Sequence, residues 1–149
     1  MKKILFLMSF MIFACNSTTK GVNDSDDVEK AKELTTSFYT NVKNKNYNNL
    51  ISILNPDLNS NNLKKLFHSK DSMFGNIEKY DIKDIQTTKI TNNGKEKTDI
   101  IVEVKTFYKN YTFNENLNFS IDSLNNTILE GYRFKTVHPA PARILSRGK

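Results

Sequence analysis

Apolar residues recur along this chain with three different spacings, and each change of spacing marks a boundary. Ile4 to Ala14 is a continuous apolar run of eleven residues broken only by Ser9. From Val28 the apolar positions are Ala31, Leu34, Phe38 and Val42, in steps of three and four. That spacing places them on one face of a helix, and it predicts a helix starting near Ser25 or Asp26, where Asp26 and Glu29 form a capping-box pair, and fading by Asn44 to Asn46. A short helix over Tyr47 to Leu54 is stopped by Asn55-Pro56. Asn59 or Ser60 caps a third helix that buries Leu63, Leu66 and Phe67 and ends near Gly75.

Past Gly75 the period becomes two. Ile77 to Ile90 reads as a ragged strand, and Asn92-Asn93-Gly94 is a hairpin turn. Asp99 to Tyr108 follows, with Ile100, Val102 and Val104 on one face. Tyr111, Phe113, Leu117, Phe119 and Ile121 then alternate with Thr112, Asn114, Asn116, Asn118 and Ser120. This is an antiparallel strand with one face on the core and one in water. Leu124-Asn125-Asn126 turns the chain into a last strand, Thr127 to Thr136, with Ile128, Tyr132 and Phe134 on one side. Helices first and strands afterwards predict an α+β domain: three N-terminal helices packed on a curved four-stranded antiparallel meander.

The organisation follows: 1–14 a signal segment, 15–24 a short polar tether, 25–136 the α+β domain, and 137–149 a disordered tail rich in Pro and Arg. The formal charge of +6 changes little. Residues 16–136 hold 17 basic and 16 acidic side chains, interspersed as on a solvated surface, so nucleic acid is not an expected partner. Cys15 is the sole cysteine, which excludes disulfides within one chain and cysteine-based metal sites.

Lys2 and Lys3 precede the apolar run, which spans only about 17 Å as a helix, too little for a bilayer core of about 30 Å. The run ends in Ile12-Phe13-Ala14-Cys15, which resembles the lipobox of bacterial lipoproteins. The resemblance implies a diacylglyceryl group on the Cys15 sulfur, cleavage before Cys15, and a lipid anchor in the cell envelope, periplasmic or surface-facing. It covers the physical need for at least two acyl chains in a stable anchor.

The domain, about 26–136, resembles the nuclear transport factor two-like (cystatin-like) superfamily. The resemblance rests on "AKELTTSFYTNVKNKNYNNLISIL", "LKKLF" and the closing "ILEGYRF". It implies a cone, a curved sheet wrapped over a long helix with a pocket at the wide end. Some members are isomerases or dehydratases and many only bind.

Candidate chemistry is sparse. His68, the sole histidine within 25–136, sits at the edge of an amphipathic helix, and His138 is in the tail. Asp57, Asp71, Asp81 and Asp84 occupy polar contexts, where burial does not raise a carboxyl pKa. "NPDLNSNN" lacks the glycine and closing glutamate of a calcium loop. No catalytic residue, metal site or cofactor is expected. Tyr108, Tyr111, Phe113, Tyr132 and Phe134 read as core, and they should line any pocket the cone contains. The expected function is a membrane-anchored binding domain that holds a small apolar ligand or an envelope protein. An isomerase- or dehydratase-like enzyme on the same cone, and an immunity- or inhibitor-type protein, are the alternatives. A closed apolar pocket with a buried carboxylate points to the enzyme; a filled interior points to a protein partner.

Overall fold

A computed structural model of the protein describes residues 17–139, with their side chains over 22–137. The signal segment, Cys15 and residues 140–149 of the tail lie outside the described residues. The elements run β1 (Ser17–Val22), α1 (Ser25–Lys43), α2 (Tyr47–Ser52), α3 (Ser60–Phe74), β2 (Ile77–Asn92), β3 (Lys95–Tyr108), β4 (Tyr111–Asp122) and β5 (Thr127–Pro139). The fold is α+β, with the three helices followed by an antiparallel meander in a single curved sheet of order β1-β2-β3-β4-β5.

The sheet has one strand more than the four expected. Ser17–Val22 falls in the segment read as a tether, yet it pairs antiparallel with β2, Ser17 opposite Asn92 and Val22 opposite Thr88. The reason is the free edge of β2, whose backbone N–H and C=O groups need partners. Asn23 completes the seam: its N–H donates to the Thr87 carbonyl at 3.1 Å, and its side-chain oxygen accepts from the Thr87 N–H at 2.9 Å. The boundary at 136 also moves. β5 continues to Pro139, with Thr112 opposite His138 and Tyr111 opposite Pro139. A proline without an N–H is tolerated there because β5 is an edge strand.

The first helix is capped two residues earlier than the capping box suggests. Asp24 is the N-cap, and its carboxylate accepts from the Asp26 N–H at 3.0 Å. Asp26 and Asp27 in the first turn complement the helix dipole. Asp24→Ala should cost about 1 kcal/mol, seen as a Tm lower by a few degrees. An unchanged Tm would mean that Asn23 alone holds this end.

α1 turns Ala31, Thr35, Phe38, Tyr39 and Val42 inward. They meet Ile100, Val102 and Val104 of β3 and Phe113, Leu117 and Phe119 of β4 in one core. α2 adds Tyr47 and Leu50, α3 adds Phe67, and β5 adds Leu129. Register shifts in β2 between Ile82 and Asp84, and between β4 and β5 at Asn118/Phe119, bend the sheet around the helices, as an unpaired extra residue does. The loop after α2 clasps the outer edge of β5. The Leu129 N–H donates to the Ile53 carbonyl at 2.6 Å, and the Asn55 N–H donates to the Leu129 carbonyl at 3.1 Å.

Candidate functional site

At the heart of the cone lies a lysine. The inward stripe of α3 runs Leu63, Phe67, Lys70, Phe74, so Lys70 occupies a core position on a helix spaced for apolar residues. On β4 the inward series Phe113, Leu117, Phe119 is completed by Glu115, which stands between two buried apolar neighbours. Each of the two is 1 % exposed. They face each other, and the Lys70 Nζ donates to the Glu115 Oε1 at 2.6 Å.

The pair is fully dressed by neighbouring groups. Glu115 Oε1 also accepts from the Thr106 hydroxyl at 2.8 Å, and Oε2 accepts from the Tyr39 hydroxyl at 2.8 Å. Lys70 makes a second bond, to the Tyr132 hydroxyl oxygen at 2.7 Å. Around its ammonium stand aromatic rings, with centroids 4.6 Å away for Phe134, 4.8 Å for Phe113 and 5.4 Å for both Tyr108 and Tyr132. Ring faces are electron-rich and attract a cation, so the side of Nζ that lacks oxygen partners is not bare.

Burial sets the ionisation of these groups. Desolvation pushes the Lys70 ammonium below the ordinary lysine pKa, while Glu115 pulls it back. Tyr39 is pushed well up by burial and by the Glu115 carboxylate at its hydroxyl. Burial, with Glu115 next, raises Tyr108 and Tyr132 in the same way. A lowered lysine beside a carboxylate is the equipment of acid–base catalysis. Catalysis also needs a substrate within reach. Here Glu115 is bonded to Lys70, Thr106 and Tyr39, and Lys70 to Glu115 and Tyr132, so these protein groups take up the hydrogen bonds the pair makes.

The structure therefore places the five aromatic candidates as follows. Tyr108, Phe113, Tyr132 and Phe134 are the walls around Lys70. Tyr111 packs further out, against Phe74 at 4.7 Å between ring centroids. His68 stands edge-on to Tyr47 at 4.9 Å, and Asp71 accepts from the Tyr47 hydroxyl at 2.6 Å and lies 3.5 Å from Lys45, so both hold α2 against α3. Sequence reasoning missed Lys70 and Glu115. The signal was there in each case: a single charge on an otherwise apolar stripe, of opposite sign on the two elements.

Among the described residues, grooves open on both sides of the sheet. A shallow groove of about 330 Å³ on the sheet is lined by the outward-facing Lys83, Glu103, Asn114, Asn116, Arg133 and Lys135, and also by Val104, Glu115 and Phe134. A second, of about 290 Å³, is apolar and runs between α3 and β5 along Leu54, Leu58, Leu63, Leu66 and Tyr132. Among the described residues, no group of three His, Cys, Asp or Glu side chains could hold a metal ion, and no helix is long and apolar enough to cross a membrane. Compared with known proteins, the chain matches no family model, no curated protein and no solved structure.

Proposed function

We propose that this protein is a bacterial envelope lipoprotein, lipid-anchored through Cys15, whose nuclear transport factor two-like domain binds a protein partner and carries out no reaction. The observation that carries the binding half is the buried Lys70–Glu115 pair, bonded to Tyr39, Thr106 and Tyr132 inside the cone. The place where a cone-shaped enzyme keeps a ligand is taken by Lys70, Glu115 and their ring of tyrosine and phenylalanine side chains. The polar outer face of the sheet, with its groove between Lys83, Glu103, Arg133 and Lys135, is the surface left for a partner, as an immunity- or inhibitor-type protein would also use it. The lipobox and the short apolar run carry the anchoring half.

The apolar groove between α3 and β5 favours a second reading, a small apolar ligand held outside the cone. One experiment separates the two. Full-length lipidated protein is pulled from its native envelope after cross-linking. A discrete protein cross-linked through the outer face supports the partner reading. A small apolar molecule in the organic extract, with no cross-linked protein, supports the other.

Anchoring has its own test. Cys15→Ser should abolish incorporation of radiolabelled palmitate and leave the product uncleaved or soluble. Equal label in the variant would sink the anchor reading.

A further inference from the structure

Two peptide links join Cys15 to Ser17, where β1 begins, and two trans links span at most about 7.6 Å. A lipid on Cys15 therefore cannot hang the domain on a long leash. It must pull on the corner of the sheet where Ser17 lies opposite Asn92. At that corner β2 turns into β3 through Asn93 and Gly94, both with positive φ (50° and 75°).

The same end of the sheet carries a second turn. Lys97 of β3 lies opposite Asp122 of β4, so the β4–β5 connection belongs to the same rim, roughly 15–20 Å across at the usual strand spacing. That turn is tightly built. Asp122 Oδ1 accepts from the N–H groups of Leu124 at 2.8 Å and Asn126 at 2.9 Å, and Oδ2 accepts from the Asn126 side chain at 2.8 Å. The turn closes with Asn125 at φ 61°. The result is a leucine held at the tip, 79 % exposed.

We propose that this rim is a bilayer-docking surface, on which the acyl chains of Cys15 hold the β2–β3 turn and Leu124 enters the headgroup layer. The proposal rests on the lipid-anchor reading of Cys15. The described rim is electrically balanced, Lys95 and Lys97 against Glu96 and Asp122, so docking draws nothing from anionic lipid, unlike a polybasic surface. Lys109, at the other end of β3, is about 40 Å away along the strand and stays in water.

Site-directed spin labelling tests this. Cys15 is the sole cysteine and its sulfur is occupied by the lipid, so an introduced cysteine is uniquely reactive. Full-length lipidated protein carrying Asn93→Cys, Leu124→Cys or Lys109→Cys is nitroxide-labelled on phosphatidylcholine vesicles. Labels at 93 and 124 should be more accessible to oxygen than to a water-soluble nickel chelate, and the label at 109 the reverse. Adding phosphatidylglycerol should leave all three unchanged. Three equally aqueous labels on protein that sediments with the vesicles would overturn the docking and leave the anchor standing. Dependence on phosphatidylglycerol would overturn the balanced-rim docking as stated. Protein left in the supernatant would overturn the anchor, and the docking with it.

Discussion

Lys70→Met should destabilise the domain by about 3–5 kcal/mol, and Glu115→Leu by a similar amount, because each leaves the other charge buried without its counter-ion. That is a large share of a typical total of about 5–15 kcal/mol. The double variant should lose clearly less than the two single losses combined, since an uncharged interior carries no ion to desolvate. It does not recover fully. The Tyr39 and Thr106 hydroxyls both donate to Glu115, and an unpaired buried donor costs about 1–3 kcal/mol. Denaturant melts of the four proteins decide the matter. Strictly additive losses would show that the two side chains act independently, and that the pair is not the unit filling the cone.

The elements that were legible in the sequence are those whose pattern is local. Val28, Ala31, Leu34, Phe38 and Val42 fix α1 because helical neighbours are three and four residues apart, and Phe113, Leu117 and Phe119 fix β4 because strand side chains alternate. β1 was not legible, since "STTKGV" has no inward apolar set. It is held by its backbone ladder to β2, and a backbone ladder leaves no side-chain signature. The extension of β5 to Pro139 was hidden for a related reason, because proline reads as a stop wherever the edge position of the strand is unknown. The buried pair illustrates a third limit. Lys70 and Glu115 each look like an interruption of an apolar stripe when read alone. Their meaning lies in a contact across 45 residues, which appears only once α3 is laid on β4.

The pair also bears on why the interior is polar at all. A buried ion pair is weak evidence for stability, since apolar replacements of the same volume are often as stable. What this one has is direction: Glu115 accepts from β3 (Thr106), α1 (Tyr39) and α3 (Lys70), and Lys70 reaches β5 (Tyr132). One network thus ties the long helix, the third helix and three strands in a single arrangement. That matters for the proposed partner surface on the far side of the same sheet, because the outer groove keeps its shape only while the strands keep their register.

The fold should fail abruptly in alkali. Tyr39, Tyr47, Tyr108 and Tyr132 all have phenol pKa values raised in the folded protein, first by burial and then by the carboxylates of Glu115 or Asp71. An unfolded tyrosine titrates near pH 10. Above that pH the unfolded chain releases protons that the native state keeps, so stability falls as pH rises. Lys70 works the other way, because its folded pKa is lowered. Its contribution to stability grows as pH rises, but only up to about pH 10.4, the unfolded lysine value, and it concerns one proton against four. Each withheld phenol proton is worth about 1.4 kcal/mol per pH unit, so four together remove about 5 kcal/mol per unit. Unfolding should follow within about two units above pH 10 for a domain of ordinary stability. The phenolate ultraviolet absorbance of these four tyrosines and the loss of far-ultraviolet circular dichroism should then rise in one cooperative step. Tyr39→Phe, with one proton fewer to withhold, should flatten the decline by about a quarter. Phenolates that all form near pH 10 while the circular dichroism stays native would mean that these hydroxyls are open to water, and that the interior of the cone is not filled.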